Sequence, residues 1–362
     1  MNELRTPIES IRRIRISGKS AWNDKGLRDG TGFMVNPGMG NPPHPAGCKP
    51  GGCIAIGNFD GVHLGHRSML RGLRDLADSL GTHTVAVTFH PHPIAVLRPE
   101  QAPPLLTSIP ERKRLLLSAG ADFVEVLQVT EELLRMSATE FFEDYILGRY
   151  QASGVVEGVN FRFGYDRQGD VGLLEALSAR HNLAFRTVQL LAGSVEAVRD
   201  PVGVSHNAEV SSSRIRALIS EREIAAAVAL LGHPYTIRGV VGSGARRGRQ
   251  LGFPTANLER IETLVPGDGV YAGETVLDGV RKTVAINIGP NPTFGETSRK
   301  VECHVLDFAG DLYGKQLSVD VLSEVRGLRK FSSRSELMDQ IQIDLQTCKR
   351  IALAADTGSS RG

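Results

Sequence analysis

The chain has 362 residues, which at about 150 residues per domain indicates two domains and an appendage. Lysine and arginine number 42 against 40 aspartate and glutamate residues, so a formal charge of +2 gives no sign of a nucleic-acid or membrane-surface partner. Hydrophobic residues make up 41% and charged residues 23%, which is typical of a globular protein and excludes general disorder, while the 40 glycines point to turns and ligand-contacting loops.

The predicted elements divide the chain into four parts. Residues 1–50 contain the breaker-rich run NPGMGNPPHP and are predicted to be a poorly ordered tail, with Met34 as an alternative start. Residues 51–230 and 231–355 are predicted to form two domains, and 356–362 a second tail.

Strands and helices alternate in the first domain. The predicted strands cover 53–59, 82–89, 123–129, 154–161 and 184–190. The predicted helices cover 64–80, a segment from Pro110, 137–150, 173–181 and 213–231. Ser137 and Glu140 have the spacing of a capping box. The alternation predicts an α/β domain, with a parallel sheet covered by helices on both faces.

The second domain lacks this alternation. Its predicted strands follow one another at 235–241, 269–276, 283–288, 301–308 and 316–325, and one helix at 335–354 ends the chain. Turn residues separate the strands, so an antiparallel sheet or barrel is predicted.

The cysteines and the apolar runs indicate the setting of the protein. Cys48, Cys53, Cys303 and Cys348 form no CxxC pair and have no zinc spacing with histidines, so neither a disulfide framework nor a structural zinc site is expected. No apolar run reaches the roughly 18 residues of a transmembrane helix, and no signal peptide is predicted. A reducing, cytoplasmic setting fits these features.

The segment GNFDGVHLGH joins the first strand to the first helix. Parallel sheets bind ligands at the carboxyl ends of strands, and a helix N-terminus there offers N–H groups to phosphate. His63 and His66 could stabilise charge that develops in phosphoryl or nucleotidyl transfer, although a plain turn with surface histidines is the alternative. The candidate phosphate-contacting residues of this segment are Gly57, Phe59, Asp60 and Gly65.

Two further segments of the first domain carry candidates. SSSRIR supplies hydroxyls and guanidiniums that suit a triphosphate, with Ser212 and Arg214 as candidates, but a serine cap followed by solvated arginines fits equally. Asn160, Phe161 and Phe163 follow the fourth strand and could contact a planar ring, although core packing is the commoner fate of phenylalanine.

These segments carry a family resemblance. GNFDGVHLGH, TFHPHP, EGVNFRFGYDRQG and SSSRIR, in this order, resemble the adenylyltransferase module of prokaryotic bifunctional riboflavin kinase/FAD synthetases. The HxGH motif alone would indicate only the wider nucleotidylyltransferase superfamily. The resemblance implies a Rossmann-like domain in which His63 and His66 are catalytic. It implies ATP-binding residues at Gly57, Phe59, Asp60, Gly65, Ser212 and Arg214, and flavin-binding residues at Asn160, Phe161 and Phe163.

The second domain contains its own polar cluster. A loop rich in glycine and arginine spans 239–249 and could wrap phosphates. Thr255 and Asn257 lie on one side of an extended segment, and their oxygens suit Mg²⁺, although a basic hairpin turn is the alternative. Glu302 shares a strand face with His304, and the residues alone leave open whether it faces solvent or takes a proton from an attacking hydroxyl.

GARRGRQLGFPTANL, PGDGVYAG, AINIGPNPTF, VECHVLDF and DLYGKQLSV are similar to the riboflavin kinase module of the same family. The resemblance covers about residues 53–350 and implies a six-stranded antiparallel barrel with a C-terminal helix. It implies Thr255 and Asn257 as Mg²⁺ ligands with ATP, Glu302 as the catalytic base and Asn287 at the flavin. The implied nucleotide-loop residues are Gly239, Gly244, Gly248 and Arg249.

The resemblance implies two transfers from ATP. The ribityl hydroxyl of riboflavin attacks the γ-phosphate of one ATP to give FMN, and the FMN phosphate attacks the α-phosphate of a second ATP to give FAD and pyrophosphate. No nucleic-acid or membrane partner is implied, and the oligomeric state stays open.

Two departures from the family pattern keep other hypotheses open. Residues 325–331 lack the proline and glutamate of the family segment, and Ser213 replaces the usual threonine. An impaired barrel beside an active adenylyltransferase is therefore one alternative. A non-catalytic sensor of flavin or nucleotide is the other.

Overall fold

A parallel sheet organises the N-terminal part of the chain in the computed structural model, which describes residues 50–189, 192–193, 208–242, 252–290 and 298–359. The strands of this part are β1 (Cys53–Gly57), β2 (Thr84–His90), β3 (Phe123–Gln128), β4 (Gly154–Gly158), β5 (Arg162–Phe163), β6 (Gly169–Asp170), β7 (Ala184–Val188), β8 (Ala192–Gly193) and β9 (Ala208–Glu209). Five of them form the sheet β3-β2-β1-β4-β7, in which every neighbouring pair is parallel. The other four form two small two-stranded sheets.

Helices connect these strands. They are α1 (Leu64–Leu80), α2 (Pro93–Leu97), α3 (Ile109–Ser118), α4 (Glu131–Arg135), α5 (Ala138–Phe141), α6 (Val171–Arg180), α7 (Ser212–Ser220) and α8 (Ile224–Leu231). A π-helical segment, Phe142–Arg149, continues α5, and 3₁₀ turns lie at Pro99–Gln101 and Tyr165–Arg167. The predicted capping box is confirmed, since Ser137 and Glu140 bond each other's backbone N–H.

One predicted helix is wrong in its extent. The sequence predicted a single helix over 213–231, but the structure has α7 and α8 with a break between them. Arg222 lies in the break at φ 72°, a left-handed conformation that cannot continue a right-handed helix. No glycine marks the position in the sequence, so the break left no signal there.

Helices cover both faces of the sheet, as predicted. Alternate side chains of β1 point to opposite faces, so Ile54 and Ile56 join one hydrophobic cluster and Cys53 and Ala55 join another. The first cluster includes residues of α5 and α6, and the second includes residues of α1 and α3. Rossmann-like layering therefore follows from the burial pattern of the strands.

The order of the sheet strands reverses between β1 and β4. Their ladder covers only Cys53 with Gly154 and Ile54 with Val155. Beyond it, the backbone N–H of Ile56 donates to the buried carboxylate of Glu157 at 2.7 Å. Burial raises the pKa of Glu157 well above its usual range. The crevice outside such a reversal is the usual ligand site of an open parallel sheet.

The C-terminal part is a closed antiparallel barrel. Its elements are β10 (Tyr235–Gly242), β11 (Ala256–Glu259), β12 (Gly269–Leu277), β13 (Val280–Gly289), β14 (Lys300–Val305), β15 (Gln316–Arg326) and the helix α9 (Arg334–Ser359). The strands close in the order β10-β11-β14-β13-β12-β15. The six strands and the final helix implied by the resemblance are confirmed, but strand prediction from the sequence missed β11, which is only four residues long.

The two parts share a hydrophobic cluster. Leu106, Ile215 and Leu231 pack in one cluster with the barrel residues Tyr235 and Ile286. Because the cluster is continuous, it marks no boundary at 230/231, and that division stays a prediction.

Barrel stability provides a test of the fold. Ile286 is fully buried in β13, so Ile286→Ala should lower the free energy of unfolding by about 2–5 kcal/mol through lost burial and a residual cavity. Val280 lies on the same strand with 54% of its surface exposed, and Val280→Ala should change the unfolding free energy by less than about 0.5 kcal/mol. Denaturant unfolding of both variants measures the difference, and equal effects would contradict the placement of β13.

Candidate functional sites

A pair of stacked imidazoles lies where β1 leads into α1. His63 caps the helix, and its Nδ1 accepts from the backbone N–H of His66 at 3.3 Å. The two rings stack with centroids 3.6 Å apart and planes inclined by 14°. The Phe59 ring meets His66 edge-on, with centroids 5.2 Å apart. Both imidazoles are thereby fixed at a helix N-terminus beside the reversal of the sheet.

Gly65 leaves space for this ring stack. A Cβ at position 65 would lie 3.2 Å from Cε1 and Nδ1 of the His63 ring. Any side chain there would press on the ring, which is itself tied down by its hydrogen bond to His66. The glycine between the two histidines thus has a packing reason.

Both imidazoles are neutral at physiological pH. Burial lowers the pKa of His63 to about 4, and burial together with the neighbouring His63 lowers the pKa of His66 well below its ordinary value. Since Nδ1 of His63 accepts a hydrogen bond, the proton of the neutral ring is on Nε2. That N–H can donate to a phosphate oxygen without placing a buried cation in the site.

Asp60 holds the turn in place through buried hydrogen bonds and ion pairs. Its buried carboxylate accepts from the backbone N–H groups of Leu106 and Thr107 at 2.9–3.1 Å. It also accepts from the guanidiniums of Arg112 at 2.8 Å and Arg216 at 2.6 Å. These contacts favour a bracing role over the predicted direct contact with ATP. Sequence analysis did not identify Arg112 and included Arg216 only as part of SSSRIR.

The start of α7 is tied to the same turn. The Ser212 hydroxyl donates to the Asp60 carbonyl at 2.8 Å, and Ser211 caps the helix by accepting from the Arg214 N–H. Ser213 and Arg214 are exposed. The structure therefore brings the SSSRIR segment to the GNFDGVHLGH turn, with Arg214 available to solvent-borne phosphates.

The three candidates after β4 differ in placement. Asn160 is exposed and Phe161 is half-buried. Phe163 is buried in the core beside Phe141, with ring centroids 6.2 Å apart. Phe161 stacks on Phe163 at 5.5 Å. Phe161 is thus better placed to meet a flavin ring than Phe163, whose contacts are those of a core residue.

A polar row crosses the outer face of the barrel. Asn257 of β11 pairs with Glu302 of β14, and Glu302 pairs with Asn287 of β13. Residues one position away on these strands, such as Cys303 and Ile288, are buried inside the barrel. Directly paired residues on one face have Cβ atoms about 4.5–5.5 Å apart. Three candidates distant in sequence therefore meet in one row.

The donor set of this row suits Mg²⁺ held jointly with a nucleotide. Within the described residues, no group of three or more His, Cys, Asp or Glu side chains could hold a metal. Thr255 and Asn257 offer neutral oxygens, and Glu302 offers one carboxylate beside them. Mg²⁺ commonly takes few protein ligands and completes its shell with substrate phosphates and water. The residues present therefore fit this ion.

The predicted nucleotide loop is only partly described. Gly244, Gly248 and Arg249 lie outside the described residues. Gly239 lies within β10, where a Cβ would come 2.7 Å from the carbonyl oxygen of Glu259. Close approach of a neighbouring strand thus accounts for this glycine without a nucleotide.

The divergent segment 325–331 is held at the edge of the barrel row. Arg326 forms an ion pair with Asp344 of α9 at 2.7 Å. The Arg329 guanidinium lies 4.6 Å from the Phe331 ring centroid. Leu328 reaches Gly289, two residues beyond Asn287, since its Cδ1 is 2.5 Å from where a Cβ on Gly289 would be. The segment thus stays next to the row without the proline and glutamate.

The neutral imidazoles make stability depend on pH. The folded pKa of His63 is about 4 against an ordinary 6.5, so the unfolded chain binds more protons between these values and stability falls as pH falls through them. Between pH 7 and pH 5 the wild type should lose about 2 kcal/mol more unfolding free energy than His63→Asn, which keeps a capping acceptor. Denaturant unfolding at both pH values checks this, and parallel losses would show that His63 is not buried as a neutral ring.

Comparison with known proteins matches the two parts separately. Residues 47–200 match the family model for FAD synthetase, and residues 231–352 match the model for riboflavin kinase. The bifunctional riboflavin kinase/FMN adenylyltransferase of Escherichia coli (strain K12) is 33% identical over 301 residues, which cover 82% of this chain and 92% of that protein. The protein of the same name from Bacillus subtilis (strain 168) is 30% identical, over 82% of this chain and 91% of its own length.

A solved structure has the same arrangement of both parts. The crystal structure of a macrolide-efflux protein from Streptococcus pneumoniae superposes with a TM-score of 0.71 and 28% identity, covering 84% of this chain and 95% of that one. In the described part of this chain, no helix has the length and apolar character needed to cross a membrane. From the two family models and the near full-length relatives, the chain belongs to the bifunctional riboflavin kinase/FMN adenylyltransferase family.

Proposed function

We propose that this chain converts riboflavin to FMN at the barrel and FMN to FAD at the parallel sheet, using one ATP in each step. The main support for this proposal is that one chain contains two separate polar clusters, each within the residues matched by the corresponding family model. The stacked histidines lie within 47–200, and the row of Asn257, Glu302 and Asn287 lies within 231–352.

The kinase step requires a base, because the ribityl hydroxyl must lose its proton as it attacks. Glu302 is the carboxylate of the barrel row and takes that proton. The oxygen forms a bond to the γ-phosphorus of ATP, and ADP leaves. Thr255 and Asn257 would hold Mg²⁺, which neutralises charge on the phosphate oxygens when bound. Asn287, on the other side of Glu302, borders the flavin.

The adenylyl transfer needs no base, because the FMN phosphate is already an anion. One of its oxygens bonds to the α-phosphorus of ATP, and pyrophosphate leaves. Neutral His63 and His66 donate to phosphate oxygens as negative charge moves toward the leaving group. Arg214 and the N-termini of α1 and α7 add positive potential there.

The substrates and thiols also indicate the setting. Both steps use ATP, and the cysteines in the described residues, Cys53, Cys303 and Cys348, are free and buried. A reducing, ATP-supplied cytoplasm suits both features. The proposed reactions involve neither a nucleic acid nor a membrane.

The barrel step is tested by Glu302→Ala in the full-length protein. Riboflavin phosphorylation should fall about 100- to 10,000-fold because the base is lost, while added FMN is still converted to FAD. Chromatography of the flavins after incubation with ATP and Mg²⁺ measures both products. Glu262→Ala, at an exposed barrel glutamate, serves as the matched control. Undiminished FMN formation in Glu302→Ala would remove this residue from the mechanism.

The sheet step is tested by His66→Ala under the same conditions. FAD formation should fall about 100- to 1,000-fold as a phosphate donor is lost, and FMN should accumulate from riboflavin. His181→Ala, at an exposed histidine after α6, is the control. If His66→Ala and Glu302→Ala lose the same step, the division of labour is wrong. A wild type that converts neither riboflavin nor FMN refutes both activities.

A further inference from the structure

The His304 side chain anchors the segment that carries Thr255. Its Nδ1 lies 2.7 Å from the carbonyl oxygen of Pro254. A carbonyl only accepts, so Nδ1 carries the hydrogen and donates. The Phe253 ring meets the imidazole nearly perpendicularly, with centroids 5.9 Å apart. One side chain thus contacts both residues that precede Thr255.

This anchor acts just where the strand ladder stops. The pairing of β11 with β14 runs through Asn257 with Glu302 and ends at Ala256 with Cys303. One further step along the same register would place Thr255 opposite His304. Pro254 has no N–H and therefore cannot extend the ladder by donating. The His304–Pro254 hydrogen bond takes the place of the missing backbone pair.

The anchor and the proposed site share one face of β14. Glu302 and His304 are two residues apart and both half-buried, while Cys303 between them is fully buried. Thr255 and Asn257 have the same spacing on the facing segment. Fixing the carbonyl of Pro254 therefore fixes the backbone from which the Thr255 hydroxyl projects, beside the acceptor groups of Asn257 and Glu302.

We propose that His304 is a positioning residue for nucleotide bound with Mg²⁺ at the barrel. It touches neither substrate nor metal and acts through Thr255, by holding Pro254 so that the threonine oxygen is in place before the ligand arrives. This inference rests on the proposed kinase function of the barrel. Loss of the single hydrogen bond should weaken the binding that depends on Thr255 by about 3- to 10-fold.

Calorimetric binding of ADP to the full-length protein, with and without Mg²⁺, tests the role without turnover. ADP can bind at both sites, so the part bound at the barrel, called the barrel share, is the part of ADP binding that requires Mg²⁺ and is lost in Asn257→Ala. His304→Leu should weaken that share about 3- to 10-fold, whereas His304→Asn should restore it to within about twofold, because its amide can donate near the position of Nδ1. Conversion of FMN to FAD at the parallel sheet should be unchanged in both variants, and a cooperative denaturant-unfolding transition shows that each is folded.

A double-mutant cycle distinguishes action through Thr255 from a general effect on the barrel. In a Thr255→Ala background, His304→Leu should add less than about a twofold loss, since the group it positions is already gone. Equal losses in both backgrounds, or failure of His304→Asn to restore binding, would overturn the positioning role. A wild type with no Mg²⁺-dependent share and no FMN formation would instead refute the kinase function itself.

Discussion

The proposed adenylyltransferase site depends on the ion pairs and hydrogen bonds of the buried Asp60 carboxylate. A charge removed from water is tolerated only when it is paired and fully hydrogen-bonded, and Asp60 meets this condition with Arg112, Arg216 and two backbone N–H groups. Those partners belong to α3, α7 and the strap that includes Leu106 and Thr107. The histidine turn, the serine–arginine helix and this strap therefore cannot shift independently. The groups proposed to contact phosphate are therefore held in place before a nucleotide arrives, which is what electrostatic stabilisation of a transfer requires.

The same strap connects the turn to the barrel. Leu105 bridges to Thr263, and its carbonyl accepts from the Leu264 N–H at 2.7 Å. His233, at the junction of α8 and β10, lies with Nε2 2.9 Å from the carbonyl of Gly61, the residue after Asp60. The strap and Gly61 of the histidine turn thus both form hydrogen bonds with the C-terminal part, in addition to the shared hydrophobic cluster. The two sites consequently stand on one connected framework.

Sequence predicted local structure well and long-range pairing poorly, for a physical reason. The span of α1 agrees with the predicted helix at about 64–80, because apolar periodicity and the terminal Gly81 are local signals. The row of Asn257, Glu302 and Asn287 required the barrel register, which periodicity alone cannot supply. The partners of Asp60 lie 46 to 156 residues away, so no motif reveals them. The HxGH turn was predicted because its residues are adjacent in sequence, whereas the distant contacts of Asp60 that hold the turn in place were not predicted.

The protonation of each nucleophile explains why the two sites differ in kind. A ribityl hydroxyl is neutral, so a kinase site at the barrel needs a base, and Glu302 of the polar row is the residue proposed for that role. The FMN phosphate is already charged, so the sheet site needs donors. Buried imidazoles suit that task when neutral, because stacked cations 3.6 Å apart beside Arg112 would repel one another. The lowered pKa values of His63 and His66, caused mainly by burial, therefore suit the proposed role, since charge accumulates on phosphate oxygens only during the transfer.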